Sequence, residues 1–301
     1  MKLSRSAKYT HGEDMFMIFN YVLLGIISFI TLYPMFYVLM ASLSSNSQLM
    51  QHTGLLLAPA GFSFAAYDRV FKNPMILIGY RNTIYILLMG VFLSLLMTSL
   101  AAYFLSRKGV FFKKPIMFFI TFTMFFQGGM IPAYLNFRDL GLTYQNYPVW
   151  FMNLWVLILP NMISVYNMII LRTSFMQIPE SLTEASIIDG AGHIQILFRI
   201  VLPLSKAILA VMILYYGISI WNSWFWASAI LRRRELYPLQ VILREILLQN
   251  SALEISGGDQ DAISETIKYA TIIVATVPVL CIYPFLQKYF AKGVMLGSIK
   301  E

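Results

Sequence analysis

Residues 82–106 have the sequence NTIYILLMGVFLSLLMTSLAAYFLS, and none of these 25 residues is Asp, Glu, Lys or Arg. A helix that crosses the hydrocarbon core of a bilayer needs about 20 mostly apolar residues. Because such a helix satisfies all its backbone hydrogen bonds internally, it is stable where no water is present. This stretch therefore predicts a transmembrane helix.

Five further stretches show the same uncharged, apolar pattern. The first of them becomes rich in Ser, Asn and Gln after residue 40 and then contains Pro59 and Gly61, which is typical of a loop outside the membrane. We therefore expect an all-α integral membrane fold, with six transmembrane helices in a single domain over residues 1–301. The predicted spans are 16–40, 82–106, 115–135, 149–172, 206–228 and 269–289.

The composition excludes several classes of protein. Of the 301 residues, 58% are hydrophobic and 12% are charged, and the mean hydropathy is +0.69. Soluble domains carry roughly 25% charged residues, about twice the share in this chain. The high apolar content makes a disordered chain a poor fit, and the single cysteine makes a secreted disulfide scaffold a poor fit. Cys281 is the single cysteine, which excludes an intrachain disulfide and a cysteine-built metal site. The net charge of +8 resembles that of a nucleic-acid-binding protein, but the basic residues lie between apolar blocks, which fits membrane topology instead.

The first apolar stretch has a second interpretation as a cleaved signal peptide. Its apolar run of about 25 residues is longer than the hydrophobic region of roughly 7–15 residues in a signal peptide. No small-residue cleavage motif follows it. We therefore expect this stretch to remain as the first transmembrane helix.

Lys and Arg residues set the expected orientation, because cytoplasmic loops carry an excess of them. With both termini inside, 13 of these residues lie on the cytoplasmic side and 9 on the outside. The corresponding net charges are +7 and +1. The run 232–234 lies outside and opposes this trend, but long loops have little influence on orientation. The sequence therefore predicts that both termini face the cytoplasm.

The predicted cytoplasmic loop 178–203 has the pattern of a short amphipathic helix. Pro179 suits a first helical turn, and Ser181 and Glu184 have the spacing of a capping box. Gly190 and Gly192 predict the end of the helix, and a second short helix is expected over 193–201. By pattern alone, the segment could equally be an interfacial helix that rests on the membrane. The apolar face would consist of Ile178, Leu182, Ala185 and Ile188.

The same loop carries Glu-Ala-Ser at 184–186, Asp-Gly-Ala at 189–191 and, after eleven further residues, Pro203. This pattern closely resembles the EAA loop of ABC importer permeases, the binding-protein-dependent transport system inner membrane component family, and in particular its carbohydrate type. Ser186 departs from the alanine that is more frequent there, but it is also small. Further segments extend the resemblance over about residues 10–301. They are 131–134 (IPAY), 140–142 (LGL), 221–222 (WN), 237–239 (YPL), 287–293 (QKYFAKG) and 297–300 (GSIK).

The resemblance implies that this loop docks in a groove of a cytoplasmic ATPase subunit and couples transport to ATP hydrolysis. In that arrangement Glu184 pairs with an arginine of the ATPase, and Asp189 caps or braces the turn. Small residues let the two backbones approach closely. The implied coupling residues are Glu184, Ala185, Ser186, Asp189, Gly190, Ala191 and Pro203.

The family also implies the partners of this chain. No G-x-x-x-x-G-K-[ST] motif is present, so we do not expect this chain to hydrolyse ATP by that route. ATP and Mg²⁺ would belong to two separate ATPase subunits, and this chain would need no catalytic residue, cofactor or metal. A second, different permease would complete the path. The resemblance further implies an extracytoplasmic solute-binding protein, a saccharide substrate and a place in the bacterial inner membrane.

Polar side chains at membrane depth are costly and often mark a transport path. Asn and Gln can hydrogen-bond to sugar hydroxyls, and Trp can stack on sugar faces. The same side chains could instead bond between helices. Trp221 and Asn222 are the favoured pair for contact with substrate. The full set of candidates is Gln127, Asn153, Asn161, Asn167, Trp221, Asn222 and Trp224.

The run Arg232–Arg234 has two interpretations. It is either a solvated loop balanced by Glu235 and nearby acidic residues, or a site that attracts an acidic binding-protein surface or an acidic saccharide. The chain resembles the branch of carbohydrate permeases that serves oligosaccharides and polysaccharide fragments, some of them rich in uronic acids, such as rhamnogalacturonan and alginate. The expected substrate is therefore an oligosaccharide, which the sequence does not identify further.

Two other functions fit the sequence less well. An ion-coupled secondary transporter or channel usually needs charged side chains inside its spans, whereas the cores of the six predicted spans contain no Asp, Glu, Lys or Arg. An intramembrane enzyme needs a nucleophile with a base, or metal ligands, at membrane depth. The three histidines, at 11, 52 and 193, lie outside the predicted spans, and Cys281 has no evident base.

Overall fold

The structure is a computed structural model that describes residues 11–256 and 264–298. The helices are α1 (His11–Ser42), α2 (Asn46–Gln51), α3 (Ala65–Lys72), α4 (Pro74–Ser106), α5 (Lys113–Phe125), α6 (Met130–Asp139), α7 (Trp155–Ile158), α8 (Val165–Met176), α9 (Glu180–Ile188), α10 (His193–Ile196), α11 (Leu202–Leu204), α12 (Lys206–Trp221), α13 (Phe225–Ile230), α14 (Leu239–Ser256) and α15 (Ser264–Ser298). Short 3₁₀ turns occupy Trp150–Leu154, Leu159–Asn161 and Arg234–Leu236, and a π-helical turn occupies Leu197–Val201. No β-strand occurs in the described ranges, which agrees with the predicted all-α fold.

The chain divides into two compact units. The first consists of Met1–Lys72 and Gln249–Val274, and the second of Asn73–Leu248 and Ala275–Glu301. In the first unit, the side chains of α1 from residue 15 to residue 40 are exposed or half-buried. Such a helix, apolar on all sides and uncovered by its own chain, is suited to a lipid or protein environment rather than to water.

The second unit is built around α4, which packs against α8 and α12. Asn73 caps α4 by accepting a hydrogen bond from the backbone N–H of Met75 at 3.0 Å, and Pro74 occupies the first turn. The helix therefore begins earlier than the predicted residue 82 and includes Arg81. Its length of 33 residues corresponds to about 50 Å.

Among the residues that the structure describes, four helical segments are long and apolar enough to cross a membrane: Met15–Ser42, Pro74–Ser106, Lys206–Ile230 and Glu265–Ile282. The other two predicted spans, 115–135 and 149–172, are each interrupted, so the expectation of one continuous helix in each of them is wrong. The chain bends by 116° between α5 and α6 and by 63° between Trp150–Asn161 and α8. The number of candidate spans is six if each bent pair counts as one span.

Local residues explain both bends. Gly129 has φ +88° and ψ 178°, a backbone conformation that essentially only glycine adopts. In the second bend, Pro160 has no backbone N–H to donate, and Ser164 caps α8 by accepting from the N–H of Asn167. The apolar pattern predicts burial in lipid, but it does not record the direction of the chain, so these breaks were not predicted.

Two buried apolar clusters hold the second unit together. One lies around the C-terminal half of α4 and joins it to α8, α10 and the π-helical turn; it includes Ala102, Leu105, Leu171, Phe175, Ile196 and Leu197. The other lies toward the N-terminal half of α4 and joins it to α7 and α13; it includes Ile86, Leu154, Val156, Ala227 and Ile230.

Candidate functional site

The predicted coupling segment forms α9, and its start differs from the prediction. Pro179 is the N-cap and makes no side-chain capping hydrogen bond. Ser181 therefore lies inside the first turn, and the predicted capping box with Glu184 is wrong. Half of such a box occurs later, where the backbone N–H of Gly192 donates to Oε1 of Gln195 at 3.2 Å and helps to start α10.

Gly190 ends α9, as the sequence predicts. The N–H of Ala191 donates to the carbonyl of Ser186 at 2.9 Å, and the N–H of Gly190 donates to the carbonyl of Ile187 at 3.0 Å. This pair of bonds is the Schellman motif, which requires a left-handed residue at this position. Gly190 has φ +82°, whereas Gly192 has φ −74°. Gly192 therefore contributes no left-handed turn to the end of the helix.

Two basic residues that follow α4 hold α9 in place. Arg107 Nη1 donates to Oγ1 of the buried Thr183 at 3.0 Å, and its guanidinium lies 4.7 Å from the centroid of the Tyr103 ring. Lys108 forms a salt bridge with Glu180, and this hydrogen bond raises the pKa of Lys108. The prediction from sequence missed both attachments, because contacts between residues more than 70 positions apart leave no local pattern.

Two other basic residues donate hydrogen bonds to backbone carbonyls at the C-terminal end of α4. Arg172 Nε donates to the carbonyl of Leu105 at 2.9 Å, and Lys113 Nζ donates to the carbonyl of Arg107 at 2.8 Å. The last carbonyls of a helix have no partner within it, and basic side chains are well suited to them. As a result, α4, α5, α8 and α9 are joined at a single corner of the second unit.

The predicted coupling residues lie mostly on the surface. Glu184, Ala185, Asp189, Gly190 and Pro203 are exposed, and Ser186 and Ala191 are half-buried. Apolar side chains beside them are uncovered as well: Leu182 is 43% exposed, Ile187 51% and Ile188 85%. The apolar face of this short helix therefore does not pack on its own chain and remains free to contact another surface.

A polar cavity of about 460 Å³ opens where the membrane helices are interrupted. It lies between the break that precedes α8 and the break between α12 and α13. Its described lining contains hydroxyl and amide groups and one Trp ring but no charged residue. The residues that provide these groups include Asn161, Ser164, Asn167, Ser219, Ser223 and Trp226.

Two of the seven predicted path residues, Asn161 and Asn167, line this cavity. The favoured Trp221 does not: it is buried, its ring lies 6.4 Å from that of Tyr80, and it borders a separate apolar cavity of about 320 Å³. Asn222, the other favoured residue, is exposed and caps the end of α12. Trp226, which was not predicted as a path residue, lines this cavity together with Tyr216.

The remaining candidates serve local structure or lie on the surface. Asn153 Nδ2 lies 3.2–3.3 Å from three backbone carbonyls, and its Oδ1 accepts from the N–H of Tyr147. Its amide is thus used to hold one turn. Gln127 is exposed in the break between α5 and α6. Trp224 lies under Arg244, whose guanidinium carbon is 3.5 Å from the ring centroid.

The hydroxyl of Tyr216 joins three helices at the cavity wall. It lies 2.6 Å from Oγ1 of Thr98 on α4 and accepts a hydrogen bond from the backbone N–H of Ser164 at 3.1 Å. Thr98 and Tyr216 are both buried. This contact fixes the start of α8 against α4 and α12, and so fixes the shape of the cavity.

The other end of α4 holds the loops that carry the basic run. Asn82 Nδ2 donates to the carbonyls of Glu235 and Tyr237 at 2.9 and 3.0 Å. The buried Gln145 donates to the carbonyl of Ile230 and accepts from the N–H of Arg232. Along α4, Asn82 and Arg107 are about 37 Å apart. The coupling segment and this loop therefore lie at opposite ends of the second unit.

The basic run is partly neutralised. Arg233 pairs with Glu235 at 3.4 Å, and Arg234 pairs with Glu245 at 2.8 Å. These two pairs agree with the interpretation of a loop balanced by nearby acidic residues. Arg232 is exposed, and its guanidinium forms no salt bridge within the described ranges.

The sequence matches the family model described as "Binding-protein-dependent transport system inner membrane component" over residues 76–296. The chain belongs to this family. The match covers the cavity, the coupling segment and α4 from residue 76 onward, and it confirms the family predicted from the EAA loop. The chain is therefore a transport component of an inner membrane. The alternative of an ion-coupled transporter or channel does not fit this family.

Two curated relatives match the sequence of this chain over nearly its whole length. The polygalacturonan/rhamnogalacturonan transport system permease protein YtcP of Bacillus subtilis is 38% identical over 284 residues, covering 93% of this chain and 96% of its own. The protein LplC of the same organism is 37% identical and covers 97% of both chains. This chain therefore matches both relatives over nearly their full length.

Solved structures agree as well. A chain of a bacterial ABC transporter involved in the import of the acidic polysaccharide alginate has 35% sequence identity to this chain and a TM-score of 0.82, and covers 95% of this chain and 100% of its own. A chain from a bacterial alginate ABC transporter in complex with an alginate pentasaccharide-bound periplasmic protein has 15% identity and a TM-score of 0.54, which supports the fold alone.

Proposed function

We propose that this chain forms one half of the translocation path of an ABC importer for oligosaccharides or polysaccharide fragments, including acidic ones. The observation that carries the proposal is the polar cavity at the helix breaks. Hydroxyl and amide groups around a Trp ring match the two requirements of a sugar, which are hydrogen bonds to its hydroxyls and an apolar surface for its C–H faces. Asn161, Asn167, Ser223 and Trp226 are the proposed contacts.

The exposed face of α9 is the proposed docking surface for a cytoplasmic ATPase subunit. Its apolar residues would enter a groove, Glu184 would pair with an arginine, and Gly190 and its small neighbours would permit close approach of the two backbones. ATP and Mg²⁺ would be held by two such subunits. This chain would take part through its shape alone and would need neither a cofactor nor a catalytic residue.

The corner at Arg107 provides a physical route from the ATPase to the cavity. Movement of α9 acts on Thr183 and Arg107 and therefore on α4. Thr98, on α4, is bonded to Tyr216 in the cavity wall. This coupling acts on a bound saccharide only if the inward-facing and outward-facing states bind the saccharide with different affinities.

The remaining partners follow from the architecture of such importers. We propose a second, different permease that provides the other half of the path, and an extracytoplasmic binding protein at the Arg232–Arg234 end. The six spans would place both termini in the cytoplasm. Because two of the three arginines are paired with glutamates, attraction of an acidic sugar or protein would depend chiefly on Arg232.

Reconstitution of the whole complex with its binding protein in liposomes tests this proposal. We expect one saccharide class to stimulate both ATP hydrolysis and uptake. Replacing Asn167 by Leu should reduce that stimulation about tenfold, because one hydrogen bond to the sugar is worth about 1 kcal/mol or slightly more. Asn136→Leu is the matched control, since Asn136 is exposed on α6 and does not line the cavity. Absence of stimulation by every saccharide, or failure of the complex to retain an ATPase, would contradict the proposal.

A further inference from the structure

The α4–α5 turn, defined as residues 107–112 with the first two residues of α5, Lys113 and Lys114, lies between two apolar helices. Both helices belong to candidate membrane spans. α5 has no buried residue, and its phenylalanines are uncovered, with Phe118, Phe119 and Phe125 between 65% and 73% exposed. The α4–α5 turn is therefore placed where a helix whose side chains face outward leaves the hydrocarbon core.

Two adjacent aromatic rings in this turn are uncovered as well. Phe111 is 81% exposed and Phe112 is 65% exposed, and their ring centroids lie 4.4 Å apart. Phe112 has φ +55°, and it is the one non-glycine residue in the described ranges with a positive φ. Bulky residues adopt this conformation only where the surroundings hold it. Exposed apolar side chains such as Phe, with Lys and Arg nearby, are typical of surfaces that lie at the boundary between lipid tails and headgroups.

Basic residues precede and follow the two rings along the chain, and Arg172 lies at the end of α4. Lys113 and Arg172 donate to backbone carbonyls, and each has further N–H groups that remain available. Lys114 is exposed on the next position of α5. Of the nearby carboxylates, that of Glu180 is already paired with Lys108, and that of Glu184 lies close enough to Lys108 to help raise its pKa. The turn therefore carries an excess of cations over carboxylates.

We propose that the α4–α5 turn binds the phosphate headgroup of an anionic phospholipid. Lys113 and Lys114 would contact the phosphate, and the rings of Phe111 and Phe112 would lie at the level of the headgroups, beside the exposed face of α5. A free phosphate ion would use the cations but would gain nothing from the aromatic rings. The proposal requires only that the chain spans a bilayer, and it does not depend on the saccharide or on the ATPase.

The test is a competition between lipids for the intact complex. The complex is purified in detergent with an equal mixture of phosphatidylglycerol and phosphatidylcholine, and the retained lipids are counted by native mass spectrometry. We expect the wild type to retain phosphatidylglycerol preferentially. Lys113→Gln and Lys114→Gln should each lower the preference about fivefold, the effect of one basic residue near an anionic surface. Phe111→Ser with Phe112→Ser should lower retention of both lipids.

Matched controls separate this site from general charge effects. Arg69→Gln with Lys72→Gln removes two charges from the exposed face of α3 and should leave the preference unchanged. Added inorganic phosphate should not displace the lipid; displacement, with no effect of the phenylalanine variants, would indicate a small-anion site and overturn the proposal. Equal retention of the two lipids by the wild type would overturn it too. So would a photo-crosslinker at position 111 that captures an ATPase subunit instead of lipid.

Discussion

The contact between Arg107 and Thr183 shows how a single residue can orient the coupling segment. Thr183 is the buried member of α9, so it selects which side of the helix faces the protein and which side is left free. An ordinary amphipathic helix would bury its Leu and Ile residues. Here a hydroxyl takes the inner side, and the apolar residues Leu182, Ile187 and Ile188 remain outside.

Replacing Thr183 by Val should loosen α9. Val has nearly the same shape but leaves the Arg107 donor without its acceptor, at a cost of about 1–3 kcal/mol. We expect uptake-coupled ATP hydrolysis and co-purification of the ATPase to fall together. Thr173→Val is the control, because Thr173 is exposed and bonds only within its own helix. An equal effect of the two variants would refute the role of Thr183.

The Lys108–Glu180 ion pair should contribute less to holding α9 than the Arg107–Thr183 hydrogen bond. Lys108 is fully solvated, and exposed ion pairs contribute little to stability. Glu180 raises the pKa of Lys108, so the ammonium stays charged at neutral pH, and the contribution of Lys108 is lost as the pH rises through that raised pKa. We therefore expect Lys108→Gln to leave coupling nearly unchanged, and no pH dependence from this pair between pH 6 and 8, roughly. A strong loss of ATPase association in this variant would count against this ranking.

Gly190 and Gly192 form a natural comparison. A Cβ atom at either position would meet no other atom within 4 Å, so the two differ only in backbone conformation. Gly190→Ala places alanine at φ +82° and should cost about 1–2 kcal/mol. Gly192→Ala should cost less, roughly 0.5 kcal/mol, because Gly192 has an ordinary φ but is the N-cap of α10, where Ala is less favoured than Gly. Thermal unfolding and ATPase co-purification of both variants would test this, and identical behaviour would contradict it.

At the scale of the elements, the breaks in the helices are where the polar groups gather. A continuous transmembrane helix presents side chains only, because its backbone groups are satisfied internally. Where α8 begins and where α12 ends, backbone and side-chain polar groups are available, and the polar cavity lies at these points. Non-helical backbone at membrane depth is tolerated where it lines a cavity of this kind.

The bend between α5 and α6 should depend on one glycine. Gly129→Ala cannot adopt φ +88° without strain, whereas at Gly128 a Cβ atom would make an ordinary 3.6 Å contact with Pro132. We expect the distance between spin labels at positions 119 and 135 to change in Gly129→Ala and to stay constant in Gly128→Ala. The bend would not be glycine-determined if the label distance were the same in both variants.

The three-helix contact at the cavity wall should depend on Tyr216. Tyr216→Phe removes the acceptor of the Ser164 N–H and the partner of Thr98, at a cost of about 1–3 kcal/mol for the groups left unpaired. We expect a lower unfolding temperature and weaker saccharide-stimulated ATP hydrolysis. Tyr215→Phe is the control, because its hydroxyl makes no hydrogen bond in the part of the chain that the structure describes. A similar loss in the control would assign the effect to general packing.

At the scale of the whole molecule, α4 separates two different surfaces in the second unit. The coupling segment lies at one end, and the basic loop lies at the other, about 37 Å away along the helix. This distance is close to the thickness of a bilayer, whose hydrocarbon core is about 30 Å. An importer requires such a separation, because ATP is hydrolysed on one side of the membrane and the substrate is received on the other.

Cysteine labelling tests this polarity. In a chain with Cys281→Ser, the variants Ile188→Cys and Arg233→Cys each place a single thiol on an exposed position. An impermeant maleimide should label Arg233→Cys in intact cells and Ile188→Cys only in inverted membrane vesicles. Both should react in detergent. Labelling of both thiols from the same side would contradict the proposed orientation.

Much of this molecule could be predicted from sequence because the relevant signals are local. Long apolar stretches predict membrane helices, and the EAA motif predicts the coupling segment and the family. The end of α9 was predicted because Gly190 has a short-range role. The two bends were missed, since an apolar pattern does not distinguish a straight helix from two short ones. Trp221 was favoured as a path residue on its chemistry alone, and the structure buries it against Tyr80.

The sequence by itself determined that this protein lies in a membrane, because apolar stretches of span length cannot be stable in water. It also determined the family, because a spaced motif identifies it. Only the tertiary structure decided which side chains face the cavity, which side of α9 is free, and how both ends of α4 are held. The physical reason is that these features depend on contacts between residues distant in sequence, such as Arg107 with Thr183 and Tyr216 with Thr98. Such contacts arise only when the helices are packed together.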